Sequence, residues 1–176
     1  MITLQDVAML VGLPVDGLPI FGSVTANWED LVEACLGVRP EPDDMHGSSL
    51  KFKFLVRHFS DITPYLGSRE DLERFTRAWI LRFLGGVIFV DKNSTRVHLK
   101  YLPFLADLSQ TKKYSWGSVA LSYLYREMCN ATNVNVNSIG GMVVLIQLWA
   151  WERFRCISPR MIPQPLGQRP LAHRYF

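Results

Sequence analysis

Three stretches of this chain are apolar on nearly every side at helical spacing, and they constrain its fold more than any other feature. The longest runs from Arg69 to Val90, with Leu72, Phe75, Trp79, Phe83 and Val87 in register. Its first half has a polar face in Glu73, Arg74 and Arg77, but from Trp79 onward only Arg82 interrupts the apolar residues. A second stretch starts at Ser115 and continues to about Asn130. The third, Ile139 to Phe154, has Gln147 as its only polar residue before Glu152. A helix that is apolar all round is wrapped by other helices. These segments therefore predict an all-α, mainly helical chain: a compact multi-helix bundle with at most a small β-hairpin near residues 13–21. Gly85-Gly86 costs about 1 kcal/mol per glycine relative to alanine, which predicts a close helix crossing there.

The remaining elements follow from caps and breakers. Thr3 with Asp6 forms a capping box that opens a helix over Leu4 to Val11, and Gly12 stops it. Asn27 with Asp30 opens Trp28 to Leu36, which Gly37 ends, and Ser68 with Asp71 opens the longest helix. Asp16-Gly17 lies between apolar residues and is a hairpin signal, weakened by Pro14 and Pro19. Arg39 to Gly47 reads as an exposed loop, Ser49 to Phe59 as a helix, and Asp91 to Arg96 as a polar turn. Val97 to Leu108 reads as a helix interrupted at Pro103, and Asn133 to Asn137 as a polar linker. The tail, Ile157 to Phe176, carries Pro159, Pro163, Pro165 and Pro170 and cannot be one helix. Residues 1–176 read as a single domain without internal repeats. Nothing alternates as strand–helix–strand, which argues against dinucleotide folds and the large aminotransferase fold.

Composition bounds function. The chain is 48% hydrophobic and 20% charged, a globular balance, and 176 residues suffice for a real core. A net charge of +3 permits contact with phosphates without supporting it. Met1 to Leu10 has no basic start and no long apolar core, so it is not a signal peptide. The longest apolar run, Ile139 to Trp151, is shorter than the roughly 20 residues that span a bilayer, so no membrane association is expected. Cys35, Cys129 and Cys156 are too widely spaced for a zinc knuckle and read as buried free thiols in a reducing compartment.

Motifs for catalysis fail one after another. His46, His58, His98 and His173 occur singly, without HExxH or an i, i+4 pair. Asp91, Asn93 and Thr95 imitate the start of a calcium loop, but Arg96 and Leu102 occupy the positions that require glycine and glutamate. Asp43-Asp44-Met45-His46-Gly47 lacks the leading glycine and companion segments of a dimetal phosphatase. Ser118, in Trp116-Gly117-Ser118, lacks a nucleophile elbow. No catalytic residue, cofactor site or metal site is expected. The more informative residues are Arg82, Arg126, Glu127, Glu152 and Arg153, set within apolar helices, with Asp107 among their candidate partners. A buried cation needs a partner, so these read as a structural polar network of buried ion pairs; a ligand pocket is the alternative. Trp28, Phe21 and the proline-rich tail are candidate protein contacts. Lys51, Lys53, Arg57, Lys112 and Lys113 are the candidate contacts for nucleic acid.

Several segments together resemble a known family. Ile2 through Gly17 is similar to the signature of the plant mobile domain, also called aminotransferase-like. Further matches are Arg77-Ala78-Trp79-Ile80-Leu81, Leu84 through Phe89, Tyr101-Leu102-Pro103 with Leu105-Ala106-Asp107, Trp116-Gly117-Ser118 leading to Leu124 through Met128, and Gly140-Gly141 with Leu148 through Phe154. The resemblance covers almost the whole chain in order. It implies a nuclear plant protein of the MAINTENANCE OF MERISTEMS group or a transposon-borne copy, acting in silencing of transposable elements, gene regulation and meristem maintenance. It also implies a protein partner, with a phosphatase-like protein as one candidate, because in phosphatase 7 long-form relatives this domain precedes a phosphatase domain. DNA or chromatin is the alternative partner. The aminotransferase label carries no weight, since no lysine here sits in a recognisable pyridoxal phosphate motif. The expected role is non-catalytic.

Overall fold

Residues 1–22, 27–92, 95–160 and 169–175 are described by the computed structural model of the chain. Six α-helices are formed among them: α1 (Leu4–Val11), α2 (Trp28–Leu36), α3 (Phe52–Phe59), α4 (Arg69–Phe83), α5 (Trp116–Asn130) and α6 (Val143–Arg153). Three short strands, β1 (Met45–His46), β2 (Ser49–Lys51) and β3 (Arg96–His98), make one antiparallel sheet in the order β1-β2-β3. The fold is mainly helical, as the apolar periodicity requires. None of the described helices is long and apolar enough to cross a membrane. The chain packs as two compact units, one from Met1–Pro19 with Lys113–Phe176, the other from Ile20–Lys112.

The first unit brings α1 against α5 and α6. Thr3 and Asp6 cap α1 reciprocally: the Thr3 hydroxyl accepts from the Asp6 amide at 3.3 Å, and Asp6 Oδ2 accepts from the Thr3 amide at 2.8 Å. Val7 and Leu10 on α1 meet Leu121 and Leu124 of α5 and Leu145 and Leu148 of α6 in the core. The Tyr125 hydroxyl adds a bond to the Ile2 carbonyl. Residues 13–21, where at most a small hairpin is expected, form none. Leu18 instead makes a single parallel bridge to Tyr114, with the Leu18 amide donating to the Lys113 carbonyl at 2.8 Å and the Ser115 amide to Leu18 at 2.9 Å. Pro14 and Pro19 lack amides for a strand ladder. Gly17 has φ 117°, and a Cβ there would lie 2.3 Å from the Lys113 carbonyl oxygen, so its turn serves the bridge and not a hairpin. Helix α6 begins at Val143, four residues after its expected start.

The second unit contains α2, α3, α4 and the sheet, and departs further from local expectation. The Arg39–Gly47 stretch is more than an exposed loop: Pro42–Asp44 makes a 3-10 turn, Met45–His46 is β1, and Asp44 is buried. Ser49–Lys51 is strand and not helix, because Leu50, fully buried, pairs with Met45 on one side and Val97 on the other. Val97 is likewise in β3, and the chain then runs as a 3-10 segment over Leu99–Leu105. The Ser68 hydroxyl caps α4 by accepting from the Asp71 amide at 3.0 Å. Regular α-helix ends at Phe83, short of Val90, and a π-helical turn follows over Leu84–Ile88. The expected close approach at Gly85-Gly86 is made at Gly85, foremost to the sheet: a Cβ there would sit 2.6 Å from Val97 of β3 and 3.1 Å from Phe52 of α3. Cys35 is buried as expected, whereas Cys129 and Cys156 are exposed, lying at the end of α5 and beyond α6 where core contact has ceased.

Candidate interaction face

Helix α4 and the turn after it separate their residues by direction. Ala78, Leu81, Leu84 and Ile88 are buried. Trp79 (57% exposed), Phe83 (41%) and Val87 (37%) point to solvent at i, i+4, i+8 spacing. The expectation that this half is wrapped by other helices is therefore corrected: one side is wrapped and the other is bare. The Trp79 and Phe83 rings stack with centroids 6.0 Å apart and planes within 1° of parallel. Helix α3 buries Phe54, Leu55 and Phe59 and turns Val56 outward, so Phe52 and Val56 form the second wall of a trough whose other wall is Trp79, Phe83 and Val87. The trough measures about 540 Å³; Arg82 lines it, and Gly86 lines it where an added Cβ would meet nothing within 4 Å.

A second hollow of about 380 Å³ adjoins it through Phe52 and is lined by Lys51, Lys53, Thr95 and Arg96. The strand–helix junction explains this placement. Lys51 ends β2, Lys53 lies in the first turn of α3, and Arg96 pairs opposite Lys51 across the sheet. An apolar trough thus runs into a basic notch.

The residues singled out from sequence divide between these features and the core. Arg82 is exposed on the trough and Asp107 is exposed in a turn, where it accepts from the Ser109 hydroxyl and amide, so neither is a buried network member. The buried role belongs to Arg77, which sequence reasoning left on a polar face. Its guanidinium donates to the Leu105 carbonyl (3.2 Å), the Cys35 carbonyl (3.3 Å) and Glu73 (3.0 Å), tying α2 and the 99–105 segment to α4. Only the phase of the helix decides between the two arginines: Arg77 is in line with the buried Leu81 and Leu84 at i+4 and i+7, and Arg82 with the exposed Gly86 at i+4. Lys51 is half-buried and Lys53 exposed in the notch; Arg57 pairs with the buried Asp44 at 3.4 Å. Lys112 and Lys113 are exposed, and Trp28 is half-buried. Phe21 is exposed at the surface, while residues 161–168 of the proline-rich tail lie outside the described residues.

In the first unit Glu127 is buried and sits 3.8 Å from the exposed Arg126, and Glu152 accepts from the Tyr175 hydroxyl at 3.0 Å with Arg174 at 3.9 Å. Arg153 is exposed and pairs with Asp6 at 3.2 Å. The expected network is therefore a set of separate local pairs. Burial works to raise the Asp6 pKa, but the bonds from Thr3 and Arg153 outweigh it and hold the carboxyl below its ordinary value. Asp61 and Asp107 are held down in the same way by the hydroxyl and amide of Thr63 and Ser109, respectively. The bonds of a cap or a turn are among the causes of each of these three shifts. Among the described residues no group of three or more His, Cys, Asp or Glu could hold a metal ion.

Comparison with known proteins adds the following. The sequence model of one family, the plant mobile domain, matches residues 1–176. A serine/threonine-protein phosphatase 7 long form homolog of Arabidopsis thaliana is 44% identical over 158 residues, which is 90% of this chain and 12% of that protein. Protein MAIN-LIKE 2 of the same plant is 32% identical over 94% of this chain and 25% of its own length. Protein MAINTENANCE OF MERISTEMS, also of Arabidopsis thaliana, is 31% identical over 97% of this chain and 35% of its own. The chain thus spans from about an eighth to about a third of the length of these curated relatives. No solved structure matches it.

Proposed function

The chain belongs to the plant mobile domain family, and from that premise we propose that it is a non-catalytic interaction module of a nuclear plant protein. Its work is to recognise a protein partner through the outer side of α4, in the service of meristem maintenance, gene regulation and silencing of transposable elements. The single observation that carries the reading is the trough walled by Trp79, Phe83 and Val87 on one side and Phe52 and Val56 on the other. Large apolar side chains held together in solvent are unfavourable for a monomer and mark contact surfaces. Tryptophan and arginine side by side, as at Trp79 and Arg82, are the residues that dominate binding energy at interfaces. The resemblance to a protein named as a phosphatase 7 long form homolog supports a phosphatase-like protein as one partner to try first.

The test is capture of partners from plant nuclear extract by the chain and by its Gly86→Leu variant, which fills the trough at a position with free space around it. Loss of specific capture with unchanged thermal unfolding is the expected result. Equal capture by both proteins refutes the reading. The second reading, nucleic-acid binding, rests on the notch cations Lys51, Lys53 and Arg96. It predicts binding of DNA or RNA that weakens steeply with added salt, and the absence of any binding at low salt ends it.

A further inference from the structure

The cations of the Ile20–Lys112 unit differ in what they hold. Arg39, Arg57, Arg69, Arg74 and Arg77 each hold a carboxylate. Lys51, Lys53, Arg82 and Arg96 hold none among the described residues, and all four line the trough or the notch that share Phe52. Lys92 and Lys112 line neither hollow and Lys100 lies over the Tyr101 ring, so four of the unit's cations, and not all of them, stand beside exposed apolar surface. We infer that this face takes a short amphipathic helix of a partner protein, apolar on the side that enters the trough and rich in Asp or Glu along the flanks that meet these cations.

The inference rests on the interaction reading above and specifies the partner's chemistry. Trp79, Phe83 and Val87 extend over two helical turns, roughly 12 Å at 1.5 Å per residue, which matches apolar anchors spaced i, i+4, i+7 on a second helix. Gly86 lets that helix approach the α4 backbone closely, because no side chain occupies the space above it. Carboxylates are favoured because Arg82 lines the trough and Lys51, Lys53 and Arg96 line the notch that shares Phe52 with it. Single-stranded nucleic acid fits this face less well. Val56, Val87 and Gly86 offer no surface for base stacking, and the Trp79 and Phe83 rings already stack on each other.

The full chain is titrated with a short synthetic helical peptide carrying leucines at that spacing and flanking glutamates, with the same peptide carrying glutamines instead, and with oligodeoxythymidine. The variants are Gly86→Leu, Trp79→Ala, and Lys53→Gln with Arg82→Gln, all at exposed positions. Circular dichroism and thermal unfolding of each variant serve as the control for folding. The glutamate peptide is expected to bind about tenfold more tightly than the glutamine peptide at low salt. Gly86→Leu and Trp79→Ala weaken both peptides, and the double charge variant removes most of the difference between them. Equal binding of the two peptides, with Gly86→Leu still blocking them, overturns the acidic partner and leaves the interaction reading intact. Oligodeoxythymidine binding that displaces the glutamate peptide overturns it in favour of nucleic acid. Binding of neither peptide, together with extract capture that Gly86→Leu does not alter, brings down both readings.

Discussion

Helices α4 and α5 each have fifteen residues, and each looks apolar on nearly every side toward one end, yet they end in opposite circumstances. Helix α5 buries Trp116, Ala120, Leu121, Tyr123 and Leu124, and takes even Glu127 out of water. Helix α4 buries Ala78 and Leu81 and holds Trp79 and Phe83 out in solvent. A surplus of apolar faces says that a helix has more surface to cover than one neighbour supplies. It does not say whether the cover comes from the same chain. On α5 it does. On α4 one side stays bare.

The contrast is sharpest where the two helices are truncated at equivalent chemistry. Leu124→Ala on α5 removes a fully packed side chain and is expected to lower stability by about 2–5 kcal/mol, whereas Trp79→Ala on α4 changes it by no more than about 0.5 kcal/mol despite deleting a larger group. Denaturant titration of both variants measures this, and comparable losses would show that Trp79 is core after all. The two arginines of α4 form the next pair. Arg77→Met leaves the Cys35 and Leu105 carbonyls without their donor and is expected to cost about 2–4 kcal/mol. Arg82→Met leaves thermal unfolding unchanged. The two adjacent glycines separate on a finer scale. Gly85→Ala drives a Cβ into Val97 and is expected to destabilise by roughly 1–3 kcal/mol, while Gly86→Ala meets nothing and gains up to about 1 kcal/mol of helical propensity.

The smallest effect lies at the α1 cap of the first unit. Because the Asp6 pKa is depressed on folding, its contribution is fully present above the ordinary carboxylate value and is lost as pH falls through the folded value. Asp6→Asn is expected to cost about 1 kcal/mol at neutral pH. The difference in unfolding midpoint from the parent chain should shrink below about pH 4. A gap that stays constant down to the acid limit would mean that the carboxylate charge contributes nothing to the cap.

The caps and stops of α1, α2 and the start of α4, which depend on neighbours close in sequence, were legible in the sequence. Thr3 with Asp6, Ser68 with Asp71, and the glycines at 12 and 37 mark the helix ends where they were expected. The sheet was not legible, because β2 is three residues long and is extended only through β3, whose Val97 stands opposite Leu50. The same distance in sequence hid the candidate site. Trp79, Phe83 and Val87 appear in the apolar register of their helix, but which side of that register stays bare depends on where α2, α3 and β3 pack. Arg77 and Arg82 were misassigned for that reason, five residues apart on a helix whose phase toward the core no local rule reveals.

The connectivity of the two units bears on how the protein is made. Residues Ile20–Lys112 are continuous, so a nascent chain can complete that unit while α5 and α6 are still being translated. Helix α1, made before that unit, has Val7 and Leu10 uncovered until α5 and α6 have been made. A segment translated ahead of the Ile20–Lys112 unit is thus sheltered only after that unit is complete.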